Sequence, residues 1–359
     1  MRDYLEGHAQ DLLGRVAVVH YEDLPARRSL PAGTYIFSAL DQLSPAGLGL
    51  MLELEQQLAR AGGLARILNA PSRTLLRYAL LAELRRAGWN RHGAARATGD
   101  LSGLRFPVFL REEHQHTGPI SPLVHDGAGL RRELGRALLR GYSLEELLVV
   151  EFFDAAGPDA IYRRYPAFII GSQIIPRGLS QGPNWMLKFE EAKFTEASLL
   201  EERAYVLGNP HEADLRKVFE LAGRVEYGRV DYAVKDGRLE VWEINLNPTI
   251  VLARGAAAPN LPEALLPLRE VATRHFHTRC RAAFVSLDED SPRGGTFEIA
   301  YSAEALRRLG AMIRPRHRPA RLGGVLRGLG SLRPLLDGAA GVVGSWLAGA
   351  ARRMRRDDR

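Results

Sequence analysis

The sequence predicts a mixed α/β protein with more than one lobe. Its 359 residues can bury a large core, and 46% apolar with 25% charged residues is ordinary for a globular protein. Near the N-terminus, strands predicted at 15–21, 34–39 and 65–68 surround a capped helix at 44–61 and form a small α/β unit. Alternating apolar residues around an Asp-Gly turn predict a hairpin over 227–248. Helices and antiparallel strands are therefore expected in one chain.

The middle of the chain continues the same alternation. Periodic apolar residues predict helices and short apolar runs predict strands. The predicted helices are 72–88, capped by Ser72, then 126–141, 195–207, 212–222 and 262–284. The predicted strands are 106–111, 147–153, two antiparallel strands over 161–176 that turn at Gly171-Ser172, and a strand-like run at 184–189.

Composition excludes several classes of protein. The single cysteine, Cys280, excludes an internal disulfide and a cysteine-cluster metal site. The charged start has no apolar signal segment, and no run reaches the roughly 18 apolar residues of a membrane helix, so a cytoplasmic location is expected. The net charge is +7, but the basic residues are almost all arginine and are spread along the chain. A nucleic-acid partner is therefore not expected, while a homo-oligomer stays open.

We predict three parts in the chain. An N-terminal α/β domain covers 1–70, and the main domain covers 71–285. The character changes after that, and 286–359 is predicted to be a linker with a basic, partly helical or disordered tail. This tail contains a proline-interrupted basic run at 314–321 and an apolar stretch at 338–351 that is too short to span a membrane.

The hairpin over 227–248 carries the main candidate site. Asp231 lies on its first strand, and Glu243 and Asn245 lie on its second. Side chains alternate along a strand, so Glu243 and Asn245 share one face. Carboxylate and amide oxygens are the ligands that Mg²⁺ prefers, particularly when it is held against a nucleotide triphosphate. The alternative interpretation is a surface hairpin with solvated charges.

The register of the hairpin decides whether Asp231 joins that face. A two-residue turn places Asp231 opposite Trp242 and puts Glu243 on the other face. A three-residue loop over 235–237, with a glycine bulge, places Arg229 opposite Glu243 and Asp231 diagonal to it on the same face. We predict the three-residue loop.

The pattern D-x11-E-x-N-x-x-P over 231–248 resembles the end of an ATP-grasp domain. The run EINLNP is similar to the ending of D-alanine–D-alanine ligases and ribosomal-protein glutamate ligases, with Thr249 in place of a final glycine. The resemblance to these carboxylate–amine ligases, which include glutathione synthetase, implies an ATP-grasp fold: a small N-terminal α/β domain and two lobes that clamp the nucleotide. It also implies that Asp231, Glu243 and Asn245 hold one or two Mg²⁺, with Mn²⁺ as an alternative. Arg229 would steady the transferring phosphoryl group.

The same resemblance implies nucleotide contacts upstream. Arg111 stands where the family has a phosphate-binding lysine at a strand end. Glu151 and Phe152 would lie beside the adenine, with Asp154 just beyond them. At least one further cation should face the triphosphate, and the choice stays open among Arg163, Arg164, Arg177 and Lys188.

One segment departs from the family pattern. The glycine-rich loop that covers the phosphates is replaced at 112–126 by EEHQHTGPISPLVHD, in which Gly118 is the only glycine. Its acids and histidines fit no standard zinc spacing, and we interpret the segment as a lid variant.

The function implied is an ATP- and Mg²⁺-dependent ligase. Such an enzyme activates a small-molecule or peptide carboxylate as an acyl phosphate and joins it to an amine. Two alternatives stay open: an ATP-grasp module that binds nucleotide without turnover, which the altered loop motivates, and a basic nucleic-acid binder that uses the tail.

Overall fold

The computed structural model describes residues 1–116, 118–187, 194–251 and 261–307. Within these ranges helices and strands are mixed along the chain, so the predicted α/β class is confirmed. The predictions for Lys188, for part of 184–189 and for the tail from 308 onward lie outside the described residues. None of the described helices is long and apolar enough to cross a membrane.

The N-terminal part forms a small α/β unit, as predicted. Its parallel strands pair Gly33 with Ala65 and continue for four residues. Ser44 caps the intervening helix, since its Oγ accepts a hydrogen bond from the Gly47 N–H at 3.1 Å. The elements in chain order are α1 (Arg2–His8), β1 (Ser29–Pro31), β2 (Gly33–Ile36), α2 (Pro45–Arg60) and β3 (Ala65–Leu68).

A first lobe follows, built on a three-stranded antiparallel sheet in the order β4-β6-β5. Leucines of α4 pack on this sheet and give it a separate apolar core. The predicted cap at Ser72 is wrong, because the Ser72 hydroxyl donates to Glu55 at 2.6 Å and the helix begins five residues later. The elements are α3 (Arg77–Arg86), β4 (Ala94–Arg96), β5 (Val108–Glu112), α4 (Gly127–Leu139) and β6 (Leu147–Glu151).

A second lobe is built on an antiparallel sheet in the order β11-β10-β7-β8, with β9 also on β7. Side chains alternate along β10, so Val230 and Tyr232 enter one core while Tyr227 enters another core beneath α7. Asp231 shares the face of Tyr227. The elements are β7 (Tyr162–Ile170), β8 (Gln173–Pro176), β9 (Ser180–Gly182), α5 (Glu196–Gly208), α6 (Glu212–Leu221), β10 (Tyr227–Lys235), β11 (Arg238–Asn245), α7 (Leu266–Glu289), β12 (Thr296–Glu298) and α8 (Ala303–Arg307).

The predicted strand at 15–21 is wrong. Its residues are not in a strand and lead into a 3₁₀ turn, and Val18 stays 51% exposed. The edge of β1 is paired instead with β12, through Leu30 and Phe297. The partner of β1 therefore comes from a segment nearly 270 residues away, and residues 15–21 stay outside the sheets.

The hairpin turn contains two residues rather than three. Lys235 pairs with Arg238, and Asp236 and Gly237 have φ of 54° and 70°, which is the geometry of a tight hairpin turn. The predicted three-residue loop is therefore wrong. Asp-Gly tolerates positive φ at both positions, and this turn follows the natural twist of the strands.

A bulge in β11 restores the predicted face. Tyr232 pairs with Val241, and the next pair is Asp231 with Glu243, so Trp242 is the extra residue. The bulge shifts the register by one, and the carboxylates of Asp231 and Glu243 come to lie on the same face. Arg229 pairs with Asn245 instead of with Glu243 as predicted.

Candidate functional site

A cavity of about 340 Å³ lies between β5 and β6 of the first lobe and the β10–β11 hairpin of the second. Its lining has two chemically different parts. One part is apolar and mainly aromatic: Leu81, Phe109, Val150, Phe152, Phe153 and Trp185. The other part is charged: Arg111, His116, Arg164, Asp231 and Glu243.

The apolar part is an aromatic cluster. The Trp185 ring centroid lies 5.0 Å from that of Phe109 and 5.6 Å from that of Phe152. The second contact is edge to face, at an interplanar angle of 73°. Such rings offer broad flat surfaces on which a planar base can stack.

Glu151 lies beside the aromatic cluster, but its carboxylate is occupied by the protein. It accepts hydrogen bonds from Arg85 Nη1 at 2.8 Å, Arg105 Nη2 at 2.8 Å and the Gly93 N–H at 3.0 Å. Burial opposes its ionisation, but the hydrogen bonds from Arg105 and the charge of Arg85 lower its pKa. Its side chain therefore fixes the end of β6, and its backbone N–H is also used, because it donates to the Gly93 carbonyl at 2.9 Å.

Of the other predicted base contacts, Phe152 lines the cavity and Asp154 does not. Asp154 reaches the cavity wall through Tyr162, whose pKa is raised to about 12, first by burial and then by its hydrogen bond to Asp154.

At the charged end, three cationic groups surround one carboxylate oxygen of Glu243. Oε2 accepts from Arg77 Nη2 at 2.7 Å and from Arg111 Nη2 at 2.9 Å, and His116 Nδ1 lies 3.9 Å away. Burial of Glu243 would raise its pKa, but His116, Arg111 and Arg77 hold the pKa well below its usual value. Glu243 is therefore ionised and carries one negative charge among three positive groups.

His116 is held from the other side by the N-terminal unit. Its Nε2 lies 2.7 Å from Asp41 Oδ2, and its Nδ1 lies 3.2 Å from Arg77 Nη2. Burial would lower the pKa of His116, but Asp41 and Glu243 raise it to about 9, so the imidazole is charged at neutral pH. Burial lowers the pKa of Arg111 to about 10, which still leaves that side chain charged.

Asp231 and Arg229 form a two-point ion pair next to this cluster. Arg229 Nε donates to Asp231 Oδ1 and Nη2 donates to Oδ2, both at 2.8 Å. Burial opposes the charge of Arg229, but Asp231 raises its pKa. Asn245 lies opposite Arg229 on the same face, and its Oδ1 accepts from the Asn247 N–H at 2.8 Å.

The donor chemistry of this face fits a hard cation. Two carboxylates lie directly opposite each other across the hairpin, and the amide of Asn245 follows on the same face. Guanidinium groups of Arg229, Arg77 and Arg111 now neutralise the two acids. Within the part of the chain that the structure describes, three or more His, Cys, Asp or Glu side chains do not come together as a metal-binding group.

The structure separates the predicted phosphate cations. Arg111 and Arg164 line the cavity, and each has a buried Nε without a hydrogen-bond partner. Arg163 is turned away and pairs with Asp159 at 2.7 Å. Arg177 is also outside the lining, where its guanidinium lies over the Phe276 ring at 5.1 Å.

The segment after β5, predicted to be a lid, is fixed to the body of the protein. Arg77 donates to the backbone carbonyls of Glu112 at 3.0 Å, Glu113 at 2.7 Å and Gln115 at 2.7 Å. The Glu113 carboxylate accepts two hydrogen bonds from Arg96, at 3.1 and 3.0 Å. Side chains thus hold residues 112–116 from both sides.

Sequence reasoning missed Arg77 and Trp185, and it considered His116 only as part of a loop cluster. A signal for Arg77 was present, since it continues the buried helix stripe of Leu80, Leu81 and Leu84 at helical spacing. An arginine in an apolar stripe must find buried partners, and here these are Glu243 and the carbonyls of the loop.

Neither protein-family models nor curated proteins include a match to this chain. Among solved structures, the chain is similar to an L-amino acid ligase from Bacillus licheniformis, with 15% identity and a TM-score of 0.32 over 49% of this chain and 41% of that one. It is also similar to a D-alanine–D-alanine ligase from Bacillus anthracis complexed with ATP, with 16% identity and a TM-score of 0.37 over 67% and 77% of the two chains. A RimK domain protein of ATP-grasp type from Sphaerobacter thermophilus shares 15% identity and a TM-score of 0.34 over 61% and 74%.

The matched segment spans about two fifths of the L-amino acid ligase. At such identities and TM-scores the superposition carries nothing about activity. What the site can do is judged from the residues of this chain.

Proposed function

We propose that this protein is an ATP-dependent ligase that activates a carboxylate as an acyl phosphate and joins it to an amine. The observation that carries the proposal is the arrangement around Glu243, where Arg77, Arg111 and His116 converge on one carboxylate oxygen at the charged end of the cavity. These three cationic groups outnumber the two acids that they contact, Glu243 and Asp41, and such a surplus of buried positive charge favours the binding of an anion.

The two ends of the cavity match the two ends of ATP. The rings of Phe109, Phe152 and Trp185 suit a stacked purine. The charged end suits a triphosphate, because Arg111 and Arg164 each keep a buried Nε free to donate. Guanidinium groups bind phosphate oxygens in two-point geometry, so these arginines can replace the lysines that the sequence motif leads one to expect.

Asp231, Glu243 and Asn245 are the residues that would hold Mg²⁺, with Mn²⁺ as the alternative. The bound ion would neutralise phosphate charge and fix the terminal phosphate for in-line attack. Arginines that now pair with the two acids would then be free to turn toward the phosphates. Release of Arg229 from Asp231 places a cation beside the transferring group.

The proposed reaction has two steps. A substrate carboxylate oxygen attacks the γ-phosphorus, the bond to the β–γ bridging oxygen breaks, and ADP leaves with the electron pair. An amine then attacks the carbonyl carbon of the acyl phosphate, inorganic phosphate leaves, and the ammonium proton passes to water. Arg229 and Arg111 stabilise the charge on the transferring phosphoryl oxygens, and little covalent chemistry is asked of the protein.

The test combines binding and turnover. Titration of ATP should change the tryptophan fluorescence, because Trp185 and Trp242 both line the cavity, and a Trp185→Phe variant should lose the part of the change that comes from Trp185. ADP release should then require Mg²⁺, a carboxylate and an amine from a panel of amino acids and short peptides. Absence of any ATP binding by calorimetry would contradict the proposal as a whole.

A second candidate is a nucleotide-binding module without turnover. The observation that favours it is the fixed loop, in which Arg77 and Arg96 hold residues 112–116 where a mobile lid would be expected. Tight ATP binding with no ADP release under any substrate pair would select this candidate.

A further inference from the structure

His116 occupies a place that the sequence motif assigns to no side chain. It lies just beyond the end of β5, in the segment that replaces a glycine-rich loop, and it lines the cavity. Its Nε2 is held by Asp41 at 2.7 Å, and Asp41 is 7% exposed and belongs to the N-terminal unit. The imidazole is therefore fixed by a residue that does not itself line the cavity.

The free edge of this imidazole faces the surplus positive charge. Nδ1 lies 3.2 Å from Arg77 Nη2 and 3.9 Å from Glu243 Oε2. Arg77 and the imidazole therefore meet at one carboxylate oxygen, Oε2 of Glu243. Glu243 supplies one shared oxygen, and a phosphate group can supply more, because its oxygens accept from both donors at once.

The order of the lining residues along the cavity indicates which phosphate group of a nucleotide would lie beside His116. Phe109 and Arg111 lie on β5 in that order, and His116 lies beyond the strand end. A strand advances about 3.3 Å per residue, so the backbone of Arg111 is already some 7 Å from that of Phe109. The side chains of Arg111 and His116 meet at the same Glu243 oxygen, beyond that point. A nucleotide with its base at Phe109 would reach His116 with its last phosphate.

We propose that His116 binds the terminal phosphate of the nucleotide and that Asp41 is its positioning residue. The inference depends on the proposed ATP site and adds a source of selectivity to it. An imidazole fixed at this place would distinguish ATP from ADP without closure of a loop. It would also make an acid of the N-terminal unit necessary for recognition in the cavity between the lobes.

The experiment measures the affinities of MgATP and MgADP by calorimetry for four proteins: wild type, His116→Gln, Asp41→Asn and Glu113→Gln. Loss of one charged hydrogen bond corresponds to roughly a tenfold loss of affinity. We expect His116→Gln to weaken the binding of MgATP by about tenfold and to leave the affinity for MgADP within about twofold of the wild-type value. Asp41→Asn should change the same ratio in the same direction by a smaller factor, since asparagine keeps the shape of Asp41 and removes only its charge.

Glu113→Gln is the matched control, because it removes the other side-chain anchor of the same segment without touching the cavity. It should leave the ratio of MgATP to MgADP affinity unchanged. The double variant of Asp41 and His116 should be no weaker than His116→Gln alone. Thermal melting of each variant separates loss of binding from loss of fold, and His116→Asn serves if the glutamine variant is unstable.

Three results would overturn the inference. An equal loss of affinity for MgATP and MgADP in His116→Gln would show that the residue has only a structural role. An equal change of the ratio in Glu113→Gln would assign the effect to loop position. An unchanged ratio of MgATP to MgADP affinity in both His116→Gln and His116→Asn would show that His116 does not contact the terminal phosphate. Failure of the wild type to bind either nucleotide is a different result, since it rejects the ATP site itself and this inference with it.

Discussion

Asp231 and Glu243 lie directly opposite each other on one face of the β10–β11 hairpin because Trp242 is bulged out of β11. Without this extra residue in the pairing, Trp242 would face Asp231 and Glu243 would turn to the opposite side of the sheet. Each acid is neutralised by guanidinium groups, Asp231 by Arg229 and Glu243 by Arg77 and Arg111. Guanidinium groups therefore hold both acids in an arrangement that a nucleotide and a cation can change.

Glu243→Gln should affect metal-free binding and turnover in opposite directions. Loss of this acid frees Arg77 and Arg111 from their shared partner, so metal-free ATP should bind several-fold more tightly. Mg²⁺-dependent ADP release should fall by about 100-fold or more, because a metal-binding oxygen is lost. Calorimetry in EDTA and a coupled ADP assay measure the two effects.

Asp236→Asn is the control for that variant. It removes an acid from the turn of the same hairpin, where Asp236 pairs with Arg91 away from the cavity. Both measurements should stay at wild-type values. Weaker metal-free ATP binding by Glu243→Gln would contradict the interpretation of Arg77 and Arg111 as phosphate-binding groups.

Arg229→Ala should lower the chemical step far more than nucleotide affinity. Arg229 now pairs with Asp231, and it would stabilise the transferring phosphoryl group only after release. We expect single-turnover ADP formation to fall by about 100-fold, while the MgATP dissociation constant changes by less than about threefold. Losses of equal size in both would indicate that Arg229 acts only as the partner of Asp231.

The sequence predicts which oxygen-bearing side chains the hairpin carries, but it does not predict which other residues surround them. Strand alternation predicts that Glu243 and Asn245 share one face, and Asp-Gly marks the turn. Asp231 joins that face only through the bulge at Trp242, and nothing local shows that the bulge lies there and not at the turn. Arg77 is one arginine among many. Its partners lie 35 residues away at Glu112 and 166 residues away at Glu243, so only the folded chain brings them together.

The helix starts and strand edges differ from prediction for the same reason. The Ser72 hydroxyl looks like a helix cap, but Glu55 of α2 binds it. Residues 15–21 look like a strand, but β12 pairs with β1 from the far end of the described chain. Local pattern reports what a segment can form, and competition among distant segments decides which partner it obtains.

Arg77→Ala should destabilise the protein strongly. The guanidinium is buried and satisfies the carbonyls of Glu112, Glu113 and Gln115 together with the Glu243 carboxylate. Removal of one partner from a buried charged network costs about 3–5 kcal/mol. Urea unfolding should therefore show a midpoint well below that of the wild type.

Arg73→Ala is the matched control for Arg77→Ala. Arg73 lies four residues before Arg77 and makes only a partly exposed contact with Glu226 at 3.4 Å. Surface ion pairs of this kind contribute at most about 1 kcal/mol, so the control should unfold close to the wild-type midpoint. Equal destabilisation by both variants would mean that Arg77 does not hold the loop.

Acid stability should depend on His277, where α1 meets α7. The rings of His8 and His277 stack with centroids 3.8 Å apart and an interplanar angle of 4°, and Tyr4 packs beside them. Burial, then the charges of His8 and Arg177, lower the pKa of His277 to about 4. The folded protein therefore binds the proton less well than the unfolded chain, whose histidine has a pKa near 6.5.

The direction of the pH dependence of stability follows from this difference in pKa. The contribution of neutral His277 to stability is complete above about pH 6.5 and is lost as the pH falls toward 4, because the unfolded chain takes up a proton first. The shift corresponds to at most about 3 kcal/mol. Urea unfolding at pH 7.5, 6.0 and 4.5 should show a steeper loss of unfolding free energy in the wild type than in His277→Gln, which has no titrating ring. His275→Gln, on the same helix but outside the stacked pair of rings, should keep the wild-type slope, and parallel slopes for all three proteins would exclude His277 as the source of acid sensitivity.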